Sequence, residues 1–361
     1  MKTNSDIDNR IIKLKTKLVE KKLDAALISS DVNVFYFSGF TGDSTEILIT
    51  ETANYLFTDF RYTEQVEKEA IGFTIIETKG LDRFSAIDEA AKRHGVKRLG
   101  IEKESVTLNF FERCGRELSC ADYKDISFDI SLLRSVKSPN ELALMTQAAD
   151  ISDRVFEALM QKVKPGVTET ELNAEMTYLF NLAGCGLSFT PIIASGENSA
   201  LPHAPMTNRK LQNGDFLTID FGCTYNQYCT DCTRTIGIGG LAKEQEKVYD
   251  IVKFAQEEAF FAVKPGVLCG DLDALARGII SDAGYAECFG HGLGHGVGLD
   301  IHEFPRVGMG DKTVLEPGMV ITIEPGIYLK NRFGVRIEDM CRVTENGAES
   351  FNCIDKTLKI I

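Results

Sequence analysis

The chain has 361 residues, 43% of them hydrophobic, and its 40 basic and 53 acidic residues give a formal net charge of −13. This length suggests two domains, each able to bury a core of its own. A surface with this charge repels a phosphate backbone, so no nucleic-acid partner is expected. No apolar run approaches the ~20 residues of a membrane-spanning helix, and no apolar segment follows the first charged residues. We therefore expect a cytoplasmic protein without a signal peptide or a membrane partner.

Residues 1 to about 130 alternate helical and extended patterns. The spacing of Ile11, Leu14 and Leu18 predicts an N-terminal helix. Five segments are typical of strands, namely DAALISS, TEILIT, NYLFTDF, FTIIET and KRLGIE. The segment LDRFSAIDEAAKRHG predicts a helix that is closed by Gly95. This order predicts an α/β domain of three layers with a mixed sheet.

A capping signal opens the second region. Ser138 can cap a helix that has Pro139 at its first position and Glu141 at its third. We place the domain boundary near residue 130, which gives domains 1–130 and 131–361.

The second region contains an internal repeat. KPGVTETELNAEMTYLFNLAGC begins at Lys164 and KPGVLCGDLDALARGIISDAGY begins at Lys264, an offset of 100 residues. Further on, GDFLTIDFG (214–222) parallels GMVITIEPG (318–326), so Asp220 corresponds to Glu324. The repeat predicts two halves of helices followed by a β-hairpin, related by a pseudo-two-fold axis, with a site between them.

Four carboxylates occupy corresponding places in the two hairpins. Strand alternation allows Asp220 and Asp231 to lie side by side on neighbouring strands. Glu324 and Glu338 repeat this arrangement, with Arg336 on the same strand face as Glu338. One pair alone could be solvated charges at a strand edge. Two pairs in two copies of a repeat, among apolar neighbours, favour a divalent cation between them.

Three of the five histidines lie in FGHGLGHGVGLDIHEFP, residues 289–305. The glycines of this segment exclude a helical HExxH motif and let the backbone approach another segment closely. His295 would add a nitrogen ligand to the acidic set, while His291 and His302 would face the same cleft. His203 lies in the corresponding segment of the first half and would contact the substrate.

Four carboxylates and one imidazole can hold two divalent ions ~3.5–4 Å apart. Oxygen ligands favour Mn²⁺, and the histidine also suits Zn²⁺, Co²⁺ or Fe²⁺. Such a pair lowers the pKa of a bridging water and polarises a carbonyl, which is the chemistry of amide hydrolysis.

The ten cysteines are irregularly spaced, which predicts reduced and mostly buried thiols. Cys229 and Cys232 form a C-x-x-C motif. A strand would direct these two positions to opposite sides, and no second pair stands nearby to complete four ligands, so a zinc or redox site is not favoured.

The set Asp220, Asp231, His295, Glu324 and Glu338 resembles the five-ligand signature of the pita-bread metallopeptidases. HGLGHGVGLDIHEFP, TIEPGIY and GVRIEDM most resemble the proline-specific branch, the Xaa-Pro aminopeptidases and Xaa-Pro dipeptidases. YFSGFTG and LFTDFRYTEQ resemble the creatinase-type N-terminal domain of that branch. The resemblance covers essentially the whole chain. It implies a C-terminal pita-bread domain with pseudo-two-fold duplicated helices and an antiparallel sheet, and it implies a homodimer.

The resemblance also implies how the metals are held. Asp220 would chelate one ion, Asp231 and Glu338 would bridge both, and His295 and Glu324 would complete the other. Glu324 would in addition take a proton from the bridging water.

The remaining roles implied by the resemblance concern the substrate. His302 would hydrogen-bond the scissile carbonyl, and His203 and His291 would line the pocket, with His291 near the proline ring. Arg336 would lie behind the metal centre as a proton-shuttle or orienting residue.

The expected function is a dinuclear Xaa-Pro aminopeptidase that removes the N-terminal residue from peptides with proline in second position, through a metal-bridging hydroxide. An Xaa-Pro dipeptidase is the alternative, because it would share every catalytic residue. Short N-terminal loops and the absence of long insertions favour the aminopeptidase. A metal-free creatinase-like amidinohydrolase or a non-catalytic peptide-binding homologue would lack carboxylate ligands, and all of them are present here.

Overall fold

A mixed six-stranded sheet forms the centre of the first of two units, Met1–Arg134 and Ser135–Ile361, into which the chain divides. The structure is a computed structural model that describes residues 5–79 and 83–361. The strands of the first unit are β1 (Ala25–Ile28), β2 (Glu46–Thr50), β3 (Asn54–Thr58), β4 (Thr74–Glu77), β5 (Arg98–Ile101) and β6 (Asp122–Asp125). Its helices are α1 (Ser5–Glu20), α2 (Asp31–Ser38), α3 (Thr63–Glu69), α4 (Arg83–Arg93), α5 (Leu108–Glu117) and α6 (Ser127–Ser135).

The strand order in this sheet is β4-β3-β2-β1-β5-β6. β1 pairs antiparallel with β2 and parallel with β5, so the predicted mixed sheet is confirmed. Both faces of the central strands are buried, with α4 and α5 packed on one face. The helix predicted from Ile11, Leu14 and Leu18 is α1, which buries these three side chains.

All five predicted strands are present, and the helix predicted over 81–95 is α4, of which residues 81 and 82 lie outside the described residues. The sequence analysis did not identify β6 or the short helices α2, α3, α5 and α6. β6 is a four-residue, mainly charged segment and α2 and α3 have about two turns each, so their periodicity is weak. The longer helices α5 and α6 contain apolar residues and were missed for no such reason.

The second unit combines four long helices with short antiparallel strands. The helices are α7 (Pro139–Met160), α8 (Glu169–Leu182), α9 (Lys243–Ala262) and α10 (Cys269–Asp282). The strands of its first half are β7 (Gly186–Leu187), β8 (Ile192–Ser195), β9 (Phe216–Phe221), β10 (Cys223–Tyr225), β11 (Tyr228–Cys229) and β12 (Cys232–Gly237). Those of its second half are β13 (Gly294–Gly296), β14 (Glu303–Val307), β15 (Val320–Ile323), β16 (Gly326–Leu329), β17 (Phe333–Arg336), β18 (Asp339–Val343) and β19 (Ala348–Ser350).

The capping box predicted at the start of α7 is confirmed. The Ser138 side chain accepts a hydrogen bond from the Glu141 backbone N–H at 3.3 Å, and the Glu141 carboxylate accepts one from the Ser138 backbone N–H at 2.8 Å.

The predicted repeat appears as two matching helices. α8 and α10 each have 14 residues and begin at Glu169 and Cys269, which reproduces the offset of 100 residues. The turns before them match as well, because Gly166 and Gly266 both have a positive φ, +91° and +86°. Few residues other than glycine adopt this backbone conformation without strain.

Each half has its own apolar core. In the first half, α7 and α8 pack on the sheet β12-β9-β8, and in the second, α9 and α10 pack on strands of the sheet β14-β13-β15-β18-β19. An antiparallel bridge between Thr233 and Glu338 joins the strands of the two halves. The site therefore lies on strands that share a hydrogen bond across the repeat.

All ten cysteines are free thiols, and eight of them are buried. The Sγ atom of Cys229 contacts the carbonyl oxygen of Leu299, whereas that of Cys232 contacts the carbonyl oxygen of Glu338. The two thiols of the C-x-x-C motif thus have separate partners. Within the described parts of the chain, no helix is both long and apolar enough to cross a membrane.

Candidate active site

A cavity of about 420 Å³ in the second unit contains every predicted site residue. Its walls combine acidic, imidazole and apolar groups, which is typical of a small-molecule or peptide site. The predicted residues that line it are His203, Asp220, Asp231, His291, His295, His302, Glu324, Arg336 and Glu338.

The four carboxylates lie on or next to strands of both halves. Asp220 lies within β9, opposite Thr233 of β12. Asp231 lies between β11 and β12, Glu324 follows β15, and Glu338 lies between β17 and β18. The assignment of Asp231, Glu324 and Glu338 to continuous strands was therefore wrong. Asp231 and Glu324 lie outside the paired strands, and Glu338 is paired only through its isolated bridge to Thr233.

His295 points one ring nitrogen at the acids. Its Nδ1 atom lies 3.1 Å from the carbonyl oxygen of Gly296, which can only accept, so Nδ1 carries the hydrogen. Its Nε2 atom lies 3.4 Å from oxygens of both Asp231 and Glu324. One ligand atom from each of Asp231, His295 and Glu338 falls within 4.8 Å of the others. In the neutral ring, the Nε2 lone pair faces carboxylate oxygens, an arrangement that a cation between them would stabilise.

Burial and mutual repulsion disfavour the charged forms of these carboxylates. Burial, followed by the charges of Asp220 and Glu324, raises the pKa of Asp231 well above its usual value. Burial, followed by the charge of Asp231, raises the pKa of Glu338 in the same way. Burial also raises the pKa of Glu324. Like charges this close favour either protonation or a bound cation.

Two buried carboxylate oxygens of this site have no hydrogen-bond partner among residues 5–79 and 83–361. They are Oδ1 of Asp220 and Oε1 of Glu338. An unpaired buried carboxylate oxygen is costly, and a divalent cation is the ligand that would satisfy both. These residues therefore fit a metal centre.

The other oxygens of these two carboxylates are fixed by the chain. Oε2 of Glu338 accepts a hydrogen bond from the Thr233 hydroxyl at 2.6 Å, and Oδ2 of Asp220 accepts one from Arg336 at 2.7 Å. Arg336 also donates from Nε to the Thr233 hydroxyl at 3.1 Å. The second half thus orients a carboxylate of the first half, and the first half orients one of the second.

Tyr328 contacts two residues that line the cavity, and the sequence analysis did not identify it. Arg336 donates to its hydroxyl oxygen at 2.9 Å, and this hydroxyl lies 3.0 Å from Nε2 of His291. Since Nδ1 of His291 lies 2.8 Å from the Gly292 carbonyl oxygen, the Tyr328 hydroxyl donates to Nε2. Burial lowers the pKa of His291 to about 4, so this imidazole is neutral at physiological pH. The motif TIEPGIY contained Tyr328, but nothing in its spacing linked the residue to His291.

His302 and His203 lie on the open side of the cavity, and both are exposed. The ring centroid of His302 is 4.3 Å from that of His295, and the two ring planes meet at 68°. Burial, followed by the charges of His295 and His203, lowers the pKa of His302. An uncharged imidazole beside the acid cluster can donate a single hydrogen bond to a substrate.

The glycine-rich segment brings His295 against the neighbouring strand, as expected. A Cβ atom on Gly294 would lie 2.0 Å from the carbonyl oxygen of Thr322 on β15, so only glycine fits there. This close approach lets the Thr322 hydroxyl accept a hydrogen bond from the His295 backbone N–H at 3.0 Å and donate to Glu324 at 3.2 Å.

Comparison with known proteins places this geometry in a family. Residues 143–345 match the metallopeptidase family M24, and residues 10–136 match the creatinase/prolidase N-terminal domain. The chain belongs to metallopeptidase family M24. The members of this family are hydrolases. The resemblance to pita-bread peptidases with a creatinase-type N-terminal domain is therefore confirmed.

Relatives of this M24 peptidase match over nearly the full chain. An Xaa-Pro dipeptidase from Pyrococcus horikoshii is 38% identical over 98% of this chain and 99% of its own length. The structure of an Xaa-Pro dipeptidase from Bacillus anthracis is 36% identical, with a TM-score of 0.95 over 98% of this chain and 100% of that one. The structure of an X-Pro aminopeptidase from Thermotoga maritima is 37% identical, with a TM-score of 0.89 over 94% of this chain and 98% of that one.

Proposed function

We propose that this M24 peptidase hydrolyses the bond before proline in Xaa-Pro dipeptides with the help of two divalent cations. The observation that carries the proposal is the group of four carboxylates that line the cavity with His295. Two of them lie 3.4 Å from Nε2 of His295, and two buried oxygens of the group have no hydrogen-bond partner among the described residues. Carboxylates crowded in this way need positive charge between them. Relatives named Xaa-Pro dipeptidase support the substrate class.

The ligands divide between the two ions as the family resemblance implies. Asp220 would hold one ion, Asp231 and Glu338 would contribute to both, and His295 and Glu324 would complete the other. Because oxygen ligands predominate, Mn²⁺ is the proposed metal, with Zn²⁺, Co²⁺ and Fe²⁺ as alternatives. When bound, such ions supply Lewis acidity for the scissile carbonyl and a nucleophile at neutral pH.

The chain itself moves protons and orients groups. Burial raises the pKa of Glu324, which suits a residue that accepts a proton during attack and returns it to the departing proline nitrogen. His302 donates a hydrogen bond to the scissile carbonyl oxygen as negative charge develops there. Arg336 keeps Asp220 in place through their 2.7 Å ion pair and acts as an orienting residue.

Two features of the pocket suit a proline residue after the scissile bond. Proline has no N–H in the peptide bond, so the site needs no acceptor for one. His291 is neutral and packs edge-on against Phe289 at 5.0 Å between ring centroids, which gives the proline ring an uncharged surface. His203 lines the same cavity and contacts the residue on the other side of the bond.

The dipeptidase is favoured over the aminopeptidase that the sequence led us to expect. The short loops on which that expectation depended do not distinguish the two, because relatives named Xaa-Pro dipeptidase match 98% of this chain. The Thermotoga maritima X-Pro aminopeptidase, at 37% identity, supports cleavage of longer Xaa-Pro peptides as the second candidate.

The test is a peptide-length series with the purified, Mn²⁺-loaded protein. We expect faster turnover of Ala-Pro than of Ala-Pro-Ala, no turnover of Ala-Ala, and loss of activity with a chelator that is restored by metal. Preference for the tripeptide would favour the aminopeptidase. No turnover of either proline peptide by protein with metal bound would reject the proposal.

Three expectations from the sequence stay predictions beside this proposal. They are a homodimer, a cytoplasmic location and a domain boundary near residue 130.

A further inference from the structure

Arg277 of α10 holds the segment that carries His291. This segment, residues 289–293, lies between α10 and β13 and contains part of the cavity wall. The Nη1 atom of Arg277 donates to the carbonyl oxygen of Phe289, and its Nη2 atom donates to that of His291, both at 2.7 Å. The guanidinium carbon also lies 4.3 Å from the centroid of the Phe289 ring, against which the His291 imidazole packs. One arginine thus contacts the backbone of His291 and the aromatic neighbour of its ring.

Asp273 fixes both the arginine and the next part of the segment. Its two carboxylate oxygens accept hydrogen bonds from Nη2 and Nε of Arg277 at 2.8 and 2.9 Å. The Oδ1 atom also accepts one from the backbone N–H of Leu293 at 3.0 Å. Because Asp273 is buried, this bidentate pair is little screened by salt, and it restricts the orientation of the guanidinium. The two side chains therefore hold backbone groups of three residues in the segment.

The ring of His291 follows the backbone of its own segment. Its Nδ1 atom donates to the carbonyl oxygen of the next residue, Gly292, at 2.8 Å. Its Nε2 atom accepts from the Tyr328 hydroxyl at 3.0 Å, which requires the ring to keep one direction. A change in the backbone here would turn the ring and break both bonds.

The first half uses the corresponding helix position in a similar way. Asn173 of α8 corresponds to Asp273 at the offset of 100 residues, and both side chains are buried. The Nδ2 atom of Asn173 donates to the carbonyl oxygen of Pro191 at 2.7 Å, and both chain neighbours of Pro191 line the cavity. In each half, this helix position supports part of the cavity wall. The second half adds Arg277 where the first has Thr177, whose hydroxyl donates to its own helix.

We propose that Arg277, held by Asp273, is a positioning residue that keeps the His291 imidazole in the orientation that receives the proline ring. The effect on proline peptides rests on the proposed function, whereas the orientation of the ring does not. The metal ligand His295 is anchored separately, since its backbone N–H donates to the Thr322 hydroxyl at 3.0 Å. Loss of Arg277 should therefore weaken substrate binding and leave the metal content unchanged.

A double-mutant cycle tests whether Arg277 acts through His291. In the Mn²⁺-loaded protein, we expect Arg277→Gln to raise KM for Ala-Pro by about 10-fold with normal bound metal. Arg277→Lys keeps a cation beside Asp273 and should recover part of the loss. In protein that already carries His291→Asn, Arg277→Gln should raise KM by less than about twofold, because the residue that it positions is gone. Equal effects in the two backgrounds would overturn the proposal.

The matched control is Arg113→Gln in the first unit. Arg113 pairs with Glu117 across one turn of α5, and its guanidinium carbon lies 4.0 Å from the centroid of the Phe84 ring, so it repeats the local contacts of Arg277. This variant should keep KM for Ala-Pro within about twofold of wild type. A comparable rise of KM in the control would show a general effect of losing such a pair and would contradict the specific role of Arg277.

Nitrogen NMR of the imidazoles separates this inference from the proposed function. In the Zn²⁺-loaded protein, wild-type His291 should show a neutral ring with its hydrogen on Nδ1, assigned by the loss of the signal in His291→Asn. Arg277→Gln should give a mixture of the two tautomers, because both hydrogen bonds of the ring are weakened, whereas Arg113→Gln should keep the single one. Unchanged His291 signals in Arg277→Gln would overturn the positioning role. Absence of Ala-Pro turnover by metal-loaded wild type would instead reject the proposed function.

Discussion

The two halves of the second unit have the same arrangement of helices and acids, here called the shared frame, but they contribute different residues to the site. Their helices α8 and α10 start 100 residues apart and have equal length, and each half contributes two carboxylates to one cavity. The second half alone supplies His291, His295 and His302, whereas the first supplies only His203. Both acids of the second half, Glu324 and Glu338, lie outside its strands, whereas in the first half only Asp231 does and Asp220 stays within a paired strand.

This difference shows what the repeat preserved and what it changed. The shared frame brings acids from two hairpins to one place, which is sufficient for binding cations. The groups that move protons or meet the substrate lie mainly on the glycine-rich segment of one half. Variants in the two halves should therefore differ in kind, and four predictions address that difference.

The largest effect is expected at the carboxylates, and it should be alike in both halves. Asp231→Asn and Glu338→Gln should each lower kcat/KM for Ala-Pro by at least about 10³-fold, because each removes a charged ligand from the proposed centre. Bound metal should fall in parallel in elemental analysis. Glu345→Gln, an exposed acid near β18, is the control and should change neither. Normal activity in either ligand variant would contradict the site.

A smaller effect, which should differ in kind between the two halves, is expected at the exposed histidines. His302→Asn should lower kcat by about 10²-fold, since it removes a donor to the developing oxyanion. His203→Asn should mainly raise KM, because this residue is proposed to contact only the substrate. Metal content should be normal in both variants. Equal losses of kcat in the two variants would show that the halves do not differ in this way.

The third prediction concerns the pH dependence of stability in the metal-free protein. Folding lowers the pKa of His291 to about 4 from an ordinary 6.5, so between these values the unfolded chain binds more protons. This residue therefore makes the folded state less stable as pH falls from 6.5 to 4 and has no effect above 6.5. The expected size is roughly 2 kcal/mol after allowing for partial exposure. His291→Asn should flatten the stability curve by this amount in urea unfolding, and an unchanged curve would contradict a buried neutral imidazole.

The smallest effect is expected on stability, at the matching turns that precede α8 and α10. Gly166→Ala and Gly266→Ala should each cost about 1–2 kcal/mol, because both positions have a positive φ. An added Cβ meets nothing within 4 Å at either site, so the cost is conformational and should be equal. Gly278→Ala, within α10 and also in open space, should instead gain up to about 1 kcal/mol. Unequal costs at the two turns would show that the halves have diverged there too.

Much of this site could be predicted from the sequence because its signals are local. The repeat, the acids and the histidine segment are each visible within about twenty residues, and all nine predicted residues line the cavity. The prediction from side-chain alternation failed at the acids that lie outside the strands, because side chains alternate between the two faces only while a strand continues. Pro325, directly after Glu324, was an available signal, because proline cannot donate to a strand ladder.

The contacts that orient these residues could not be predicted in the same way. The hydrogen bond from Thr233 to Glu338 joins residues 105 positions apart, and no periodicity within a segment indicates it. The position of Tyr328 between Arg336 and His291 depends on how β16 and β17 fold back on the cavity.

The bridge between Thr233 and Glu338 joins two halves of one polypeptide, so assembly of the site should not depend on protein concentration. A polypeptide with one copy of the repeat would hold two of the four acids and could complete the set only by meeting a second molecule. With both copies in one polypeptide, the second set of acids is present at a fixed local concentration set by the connecting chain. The cation-binding group therefore assembles by a unimolecular step, at a rate that does not depend on how much protein the cell makes.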